Sequence, residues 1–174
     1  MLEEFKVKGM LSWEVRGANG RVRARGKREN TVTGFYKTQL RNAVLNGGFG
    51  NAGEHAGAIA FCNTSGMSVN DSSGQVGATG IFAVITVSPQ PSPSGIGTRL
   101  VATFTAGGGG TGTFTGTVYS VYYCGNCVTS STPSAAGQTV TSDLVQDIYA
   151  YANNFGVTLN AGDSVTVTWD LTIS

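Results

Sequence analysis

From Val165 to Ile173 the chain alternates without a break. Val165, Val167, Trp169, Leu171 and Ile173 fall on one side, and Thr166, Thr168, Asp170 and Thr172 on the other. Strand side chains point alternately to two faces, so this period of two predicts a strand with one face on a core and the other polar. With Ser164 at its head, the segment is ten residues long, roughly 34 Å at about 3.4 Å per residue. A strand of that length needs long neighbours, which makes a sheet the organising element of the fold. The turn Asn160 to Asp163 feeds it from Val157, Thr158 and Leu159.

Composition agrees. The 174 residues include 26 Gly, 21 Thr and 15 Ser, and only 12% are charged against 40% hydrophobic. Disorder needs high charge and low hydrophobicity, and the consecutive glycines Gly107 to Gly110 break any collagen period. Short strands joined by tight turns fit better. The length suits one domain that buries a core without a metal or staple. No internal repeat or linker divides it, so residues 1–174 are read as a single β-rich domain.

Residues 5–28 read as a hairpin, with Gly9 a bulge site and Asn19-Gly20 a turn whose positive φ angles suit tight reversal. Arg21, Arg23 and Arg25 fall on one face of the returning strand and Val22 and Ala24 on the other, with Lys27 and Arg28 extending a basic stripe. Thr33 can cap a helix carrying Phe35, Tyr36, Leu40, Val44 and Leu45 at helical spacing, ended by Gly47-Gly48. Later elements are β: 58–62, 81–87 stopped by Pro89, Pro91 and Pro93, 98–106, a hairpin tip at Gly107 to Gly110, and 111–123. Residues 144–152 fit either a helix or a strand. Some seven or eight antiparallel strands and one short helix after the first hairpin predict a β-sandwich or flattened barrel.

Charge is unevenly placed. Residues 1–41 hold ten bases and four acids, whereas 42–174 hold one base, Arg99, and six acids; none lies between Arg99 and Asp143. Interface cores are depleted in charge, and opposite-sign surfaces steer association. A basic end meeting a mildly acidic remainder head to tail makes rings or filaments. The interface is therefore expected at Arg21, Arg23, Arg25, Lys27 and Arg28, with the 1–30 hairpin contacting a neighbouring subunit. The same stripe could bind phosphates, but it lacks the interleaved aromatics that stack on bases, so nucleic acid is not the expected partner. It could also simply keep an edge strand soluble.

Chemistry finds little support. His55 sits among small residues with no nucleophile elbow nearby, so no catalytic residue is assigned. Cys124 and Cys127 form a CxxC without the βαβ context of a redox motif. A disulfide between them is favoured over a zinc set of His55, Cys62, Cys124 and Cys127, and unpaired thiols are the plain alternative, with Cys62 in the core. Asp143 and Asp147, on a helix, would share a face with no metal-binding partner. Gly107 to Gly110 lacks the Lys-Ser/Thr ending of a phosphate loop. Tyr119, Tyr122 and Tyr123 look exposed, and aromatic platforms stack on sugars, which gives a receptor- or glycan-binding module as the second reading. No cofactor, metal or enzymatic activity is expected.

Three stretches carry a family resemblance. Leu11 to Val22 (LSWEVRGANGRV) with Glu29 to Thr33 (ENTVT), Gly57 to Gly66 (GAIAFCNTSG), and Phe155 to Ile173 (FGVTLNAGDSVTVTWDLTI) are similar to small virion structural proteins of tailed phages, the head decoration, tail and fibre group. They cover about half the chain. The resemblance implies self-assembly into homo-oligomers and docking on other virion proteins, as a capsid decoration or tail subunit, with no catalytic residues. The N-terminus lacks the basic start and apolar core of a signal peptide, and no run spans a bilayer. The expectation is synthesis in the host cytoplasm and residence in the virion, with no membrane partner.

Overall fold

The computed structural model describes residues 6–46, 57–65, 68–78, 80–87, 89–93, 97–107, 114–126 and 143–173. Their elements are β1 (Val7–Arg16), β2 (Val22–Val32), α1 (Gly34–Asn46), β3 (Ala58–Cys62), β4 (Val76–Ala78), β5 (Ile81–Thr86), β6 (Gln90–Pro91), β7 (Gly97–Thr105), β8 (Gly116–Asn126), β9 (Asp143–Leu159) and β10 (Ser164–Ile173). The fold is mainly β. Nine antiparallel strands run β5-β3-β8-β9-β2-β1-β10-β7-β6 in a strongly curled half-barrel, and β4 joins off that path through β9. The one helix follows the first hairpin, as the sequence predicts.

The long terminal strand is the spine. β10 pairs β1 along Val7↔Ile173 to Arg16↔Ser164 and pairs β7 on its other edge. The N-terminal hairpin is thus packed on its own domain. Rows across these strands show which side chains share a face. On the concave side lie Arg28, Leu11, Trp169 and Leu100, and next to them Gly26, Trp13, Val167 and Ala102. On the convex side lie Lys27, Ser12, Thr168 and Val101, and beside them Arg25, Glu14, Thr166 and Thr103. Leu11, Leu100, Val167 and Trp169 are fully buried. The Thr103 and Thr166 hydroxyls bond across the convex face at 2.8 Å.

Curling brings the two ends of the sheet together. Phe82 of β5 meets Phe104 of β7 edge-on at 5.1 Å, Phe61 of β3 lies 6.0 Å from Phe104, and Tyr123 of β8 lies 6.4 Å from Trp169. A second apolar cluster covers the other face of β3 and β8, built from Ala58, Ala60, Cys62, Tyr122, Ile148 and Val76. Every residue of β3 is buried for this reason.

Local departures from the sequence reading have physical causes. Gly9 is no bulge, because pairing runs through it on both sides; its missing side chain leaves room for that of Asn30. The bulge lies opposite Val15 and Arg16. In the first turn Gly20 takes a positive φ of 76° but Asn19 does not. Instead Asn19 Oδ1 accepts the Arg21 N–H at 3.0 Å. Thr33 caps α1 as expected, its Oγ1 accepting the Tyr36 N–H at 3.2 Å; the Gly47-Gly48 stop lies outside the described residues.

The segment 144–152 is strand, part of the 17-residue β9, so Asp143 and Asp147 share no helix face. β7 and β8 are not neighbours, so Gly107 to Gly110 closes no hairpin between them; residues 108–113 lie outside the described residues.

Candidate interaction surface

β2 carries all of the basic stripe but Arg21, and it is an unusual strand. Its first four residues are exposed on both faces, with Val22 at 44%. β1 pairs it along seven uninterrupted positions from Gly9↔Asn30 to Val15↔Ala24, but β9 pairs it only at Thr31↔Tyr151 and Val32↔Ala150. Among the described residues, Val22 to Asn30 therefore has one open edge. Thr33 N–H donates to Tyr149 O at 3.0 Å on the β9 side. Antiparallel strands turn alternate backbone groups to the same edge, so Thr31, Glu29, Lys27 and Arg25 present theirs there too.

The stripe does not act as one face. Arg25 and Lys27 stand on the convex side opposite Glu14 and Ser12. Arg28, one residue on, falls on the concave side opposite Leu11, and its Nη1 donates to Asn154 O at 3.1 Å. Arg23 pairs with Asp163 in the β9–β10 turn. Arg21 sits in the hairpin loop, where its carbonyl accepts the Gly17 N–H at 2.9 Å. Adjacent positions on a strand oppose each other, and the bulge at Val15/Arg16 interrupts the period of two; these split what the sequence reading put together. Glu14 pairs with Arg16 at 2.7 Å. Arg25 and Lys27 make no ion pair among the described residues.

The convex face continues into a cleft of about 450 Å³ whose lining includes Lys8, Lys27, Lys37, Glu29, Asn30 and Asp170. Asp170 is held chiefly by Arg99: Nε and Nη2 donate to its two oxygens at 2.8 and 2.7 Å, and Ser92 Oγ adds a third bond at 3.1 Å, with the Lys27 charge a smaller influence. The Arg99 donors hold the Asp170 carboxyl below its usual range against the opposing effect of burial. Lys8 and Lys37 escaped the sequence reading; Lys8 is signalled only by its parity with Ser12 and Glu14 on β1, and Lys37 by the first turn of α1.

Other predicted groups separate. Tyr122 is fully buried and Tyr123 nearly so, with burial pushing both hydroxyls well above their usual range. Only Tyr119, at 38%, faces solvent. The exposed three-tyrosine platform is thus corrected: strand β8 is covered on both faces. Tyr123 joins Tyr36 and Tyr149 in an aromatic cluster around the start of α1. Burial, then the charge of Asp147, pushes Tyr149 up to about 12.

Cys62 is a buried core thiol, raised in pKa by burial. Cys124 is disulfide-bonded, so it has no thiolate to give zinc; Cys127 and His55 lie outside the described residues. Among the described residues no three His, Cys, Asp or Glu side chains gather as a metal site, and no helix is long and apolar enough to cross a membrane. Comparison with family models, curated proteins and solved structures returned no match.

Proposed function

We propose that this chain is a structural subunit of a tailed-phage particle that docks on capsid or tail proteins, as a decoration or tail subunit. The observation that carries this reading is β2: a basic strand, exposed on both faces at its start, paired with β1 along its length and, among the described residues, with β9 only at Thr31 and Val32. Ligand chemistry concentrates in concave sites with convergent polar groups. Here Arg25 and Lys27 lie along a strand on a convex, hydroxyl-bearing sheet, and the cleft beside them mixes Lys8, Lys27 and Lys37 with Glu29 and Asp170, the arrangement of a surface that meets another surface. The sequence resemblance points the same way.

Three of the six acids of residues 42–174 are engaged within the chain, which weakens the head-to-tail contact. Asp163 is taken by Arg23, Asp170 by Arg99, and Asp71 by the Gly34 N–H at 2.9 Å. The partner is better sought among other virion proteins than in a second copy, although the sequence reading included both. The glycan-binding alternative loses its motive with the burial of Tyr122 and Tyr123.

The test is to purify particles from cells replicating the genome that encodes this chain, measure its copy number by mass spectrometry, and locate it by immunogold electron microscopy. Stoichiometric copies at one particle location are expected. A chain found in the lysate but absent from washed particles ends the proposal.

A further inference from the structure

The docking reading leaves open how contact is made. We infer that the open edge of β2 accepts an extended acidic segment of a second protein, which adds to the sheet as a strand alongside Arg25, Lys27 and Glu29. Main-chain hydrogen bonds give such strand addition its affinity, and alternate side chains its specificity. The edge is suited to it in three ways. Its pairing with β1 is uninterrupted over Ala24 to Asn30, so the exposed backbone groups are evenly spaced. Ala24 and Gly26 set small residues between the bases, which lets another backbone approach. Arg25 and Lys27 flank that backbone on the convex side with no ion pair of their own among the described residues.

An edge that is only guarded against aggregation needs charge of either sign, and is commonly short or bulged. This one is regular over seven residues from Ala24 to Asn30, past the bulge at its start, and every charge from Arg21 to Arg28 is positive, Glu29 being the first acid. A second copy is the poorer occupant. β2 against β2 centred on Lys27 sets Lys27 beside Lys27 and matches only Arg25 with Glu29, whereas an acidic strand meets both bases with carboxylates. The occupant is therefore a different protein, extended and bearing carboxylates at alternate positions.

The probe is a blocked nine-residue peptide alternating glutamate with threonine or valine, added to the full-length protein at low salt. Hydrogen exchange is followed over residues 22–32. Binding with exchange slowed at least about tenfold at the Arg25, Lys27 and Glu29 amides is expected. A peptide with lysine for glutamate, and one with proline at alternate positions, should leave exchange unchanged.

Arg25→Glu with Lys27→Glu should weaken binding by roughly tenfold for each reversal. Arg23 is left alone because it holds Asp163. Equal binding of the proline peptide would reduce the contact to bare charge and overturn the inference. So would protection of these amides by duplex DNA but not by the glutamate peptide, or concentration-dependent pairing of the protein with itself through this edge.

Particle incorporation separates the two proposals. If the doubly reversed variant enters particles normally and the peptide fails to bind, strand addition falls while docking stands. If the peptide binds as expected but the chain is absent from particles, docking falls.

Discussion

Thr33 joins the helix to the sheet through one hydroxyl. It is fully buried; its Oγ1 accepts the Tyr36 N–H at 3.2 Å and donates to Ile148 O at 2.7 Å. Thr33→Val keeps the shape and removes both bonds. Loss of an N-cap costs about 1 kcal/mol, and a buried carbonyl stripped of its donor about 1–2 more, so about 2–3 kcal/mol is expected. Unfolding entropy of about 2.1 cal/mol/K per residue over 174 residues turns that into a Tm lower by about 5–8 °C.

Thr33→Ser keeps the hydroxyl and loses one methyl, a cost of about 1 kcal/mol, or about 3 °C. Calorimetry on the three proteins at one pH ranks them. The Tyr36 amide should also exchange faster in the valine variant, while Gly34, held by Asp71 Oδ1, should change less. A valine variant as stable as the serine variant would refute the argument, because volume and not hydrogen bonding would then hold the junction.

Three further outcomes follow from named contacts. Asp170 carries a folded pKa below its ordinary value of 3.8, chiefly through Arg99. A depressed carboxyl adds stability above the unfolded pKa and loses it as pH falls through the folded one. The urea-midpoint gap between the native protein and Asp170→Asn should thus be open at about pH 6 and narrow steadily as the pH is lowered beyond the ordinary carboxylate range; a gap unchanged in acid counts against the pair. Gly97→Ala would place a Cβ 1.9 Å from Leu171 O in the β7–β10 ladder and should cost at least about 2 kcal/mol. Gly20→Ala meets nothing within 4 Å and should cost only about 1–2 kcal/mol from its positive φ; chemical denaturation reporting the reverse order would show that the ladder can yield. Tyr122→Ala should cost about 3–5 kcal/mol and Tyr119→Ala no more than about 0.5, which thermal melts can separate.

What the sequence made readable was local. The alternation of β10, the Thr33 cap and the apolar run 58–62 each carry their signal within a few residues, and the structure places them where the pattern does. Strand β9 was ambiguous because Asp147 and Asn154 take positive φ and its register shifts twice against β8, which smears a period of two. The basic stripe was visible as composition but not as geometry. Arg23 is spent on a residue 140 positions away, and Arg99 on one 71 positions away. Pairings at that separation leave no mark in a window of ten residues. Tyr122 and Tyr123 were misjudged for a related reason. Only the covering of β8 on both faces, by Trp169 on one side and by Val76 and Ile148 on the other, buries two consecutive tyrosines.

The open edge itself traces to β9. If the pairing Thr31↔Tyr151 continued in register, Glu29 would oppose Asn153 and Lys27 would oppose Phe155, covering the edge of β2. It stops because Asn154 and Gly156 turn through φ of 58° and 68°, while β8 opposite advances from Val118 to Ser120 as β9 passes from Val157 to Asn153. The extra residues swing Phe155 inward, where it is buried and meets Trp13 at 5.0 Å. Trp13 can lie there only because Gly26 has no side chain: a Cβ would stand 2.2 Å from its ring. Arg28 then bonds Asn154 O and fixes the bulge from the other side. The gap is therefore held by packing on both strands, with the aromatic pair seated on the concave side beneath it. Edges without function tend to be shortened or twisted away. Here an insertion in β9, a glycine in β2 and a buried aromatic pair act together to leave one edge of β2 from Val22 to Asn30 unpaired among the described residues, so the open edge follows from the packing of three elements and not from the end of a strand.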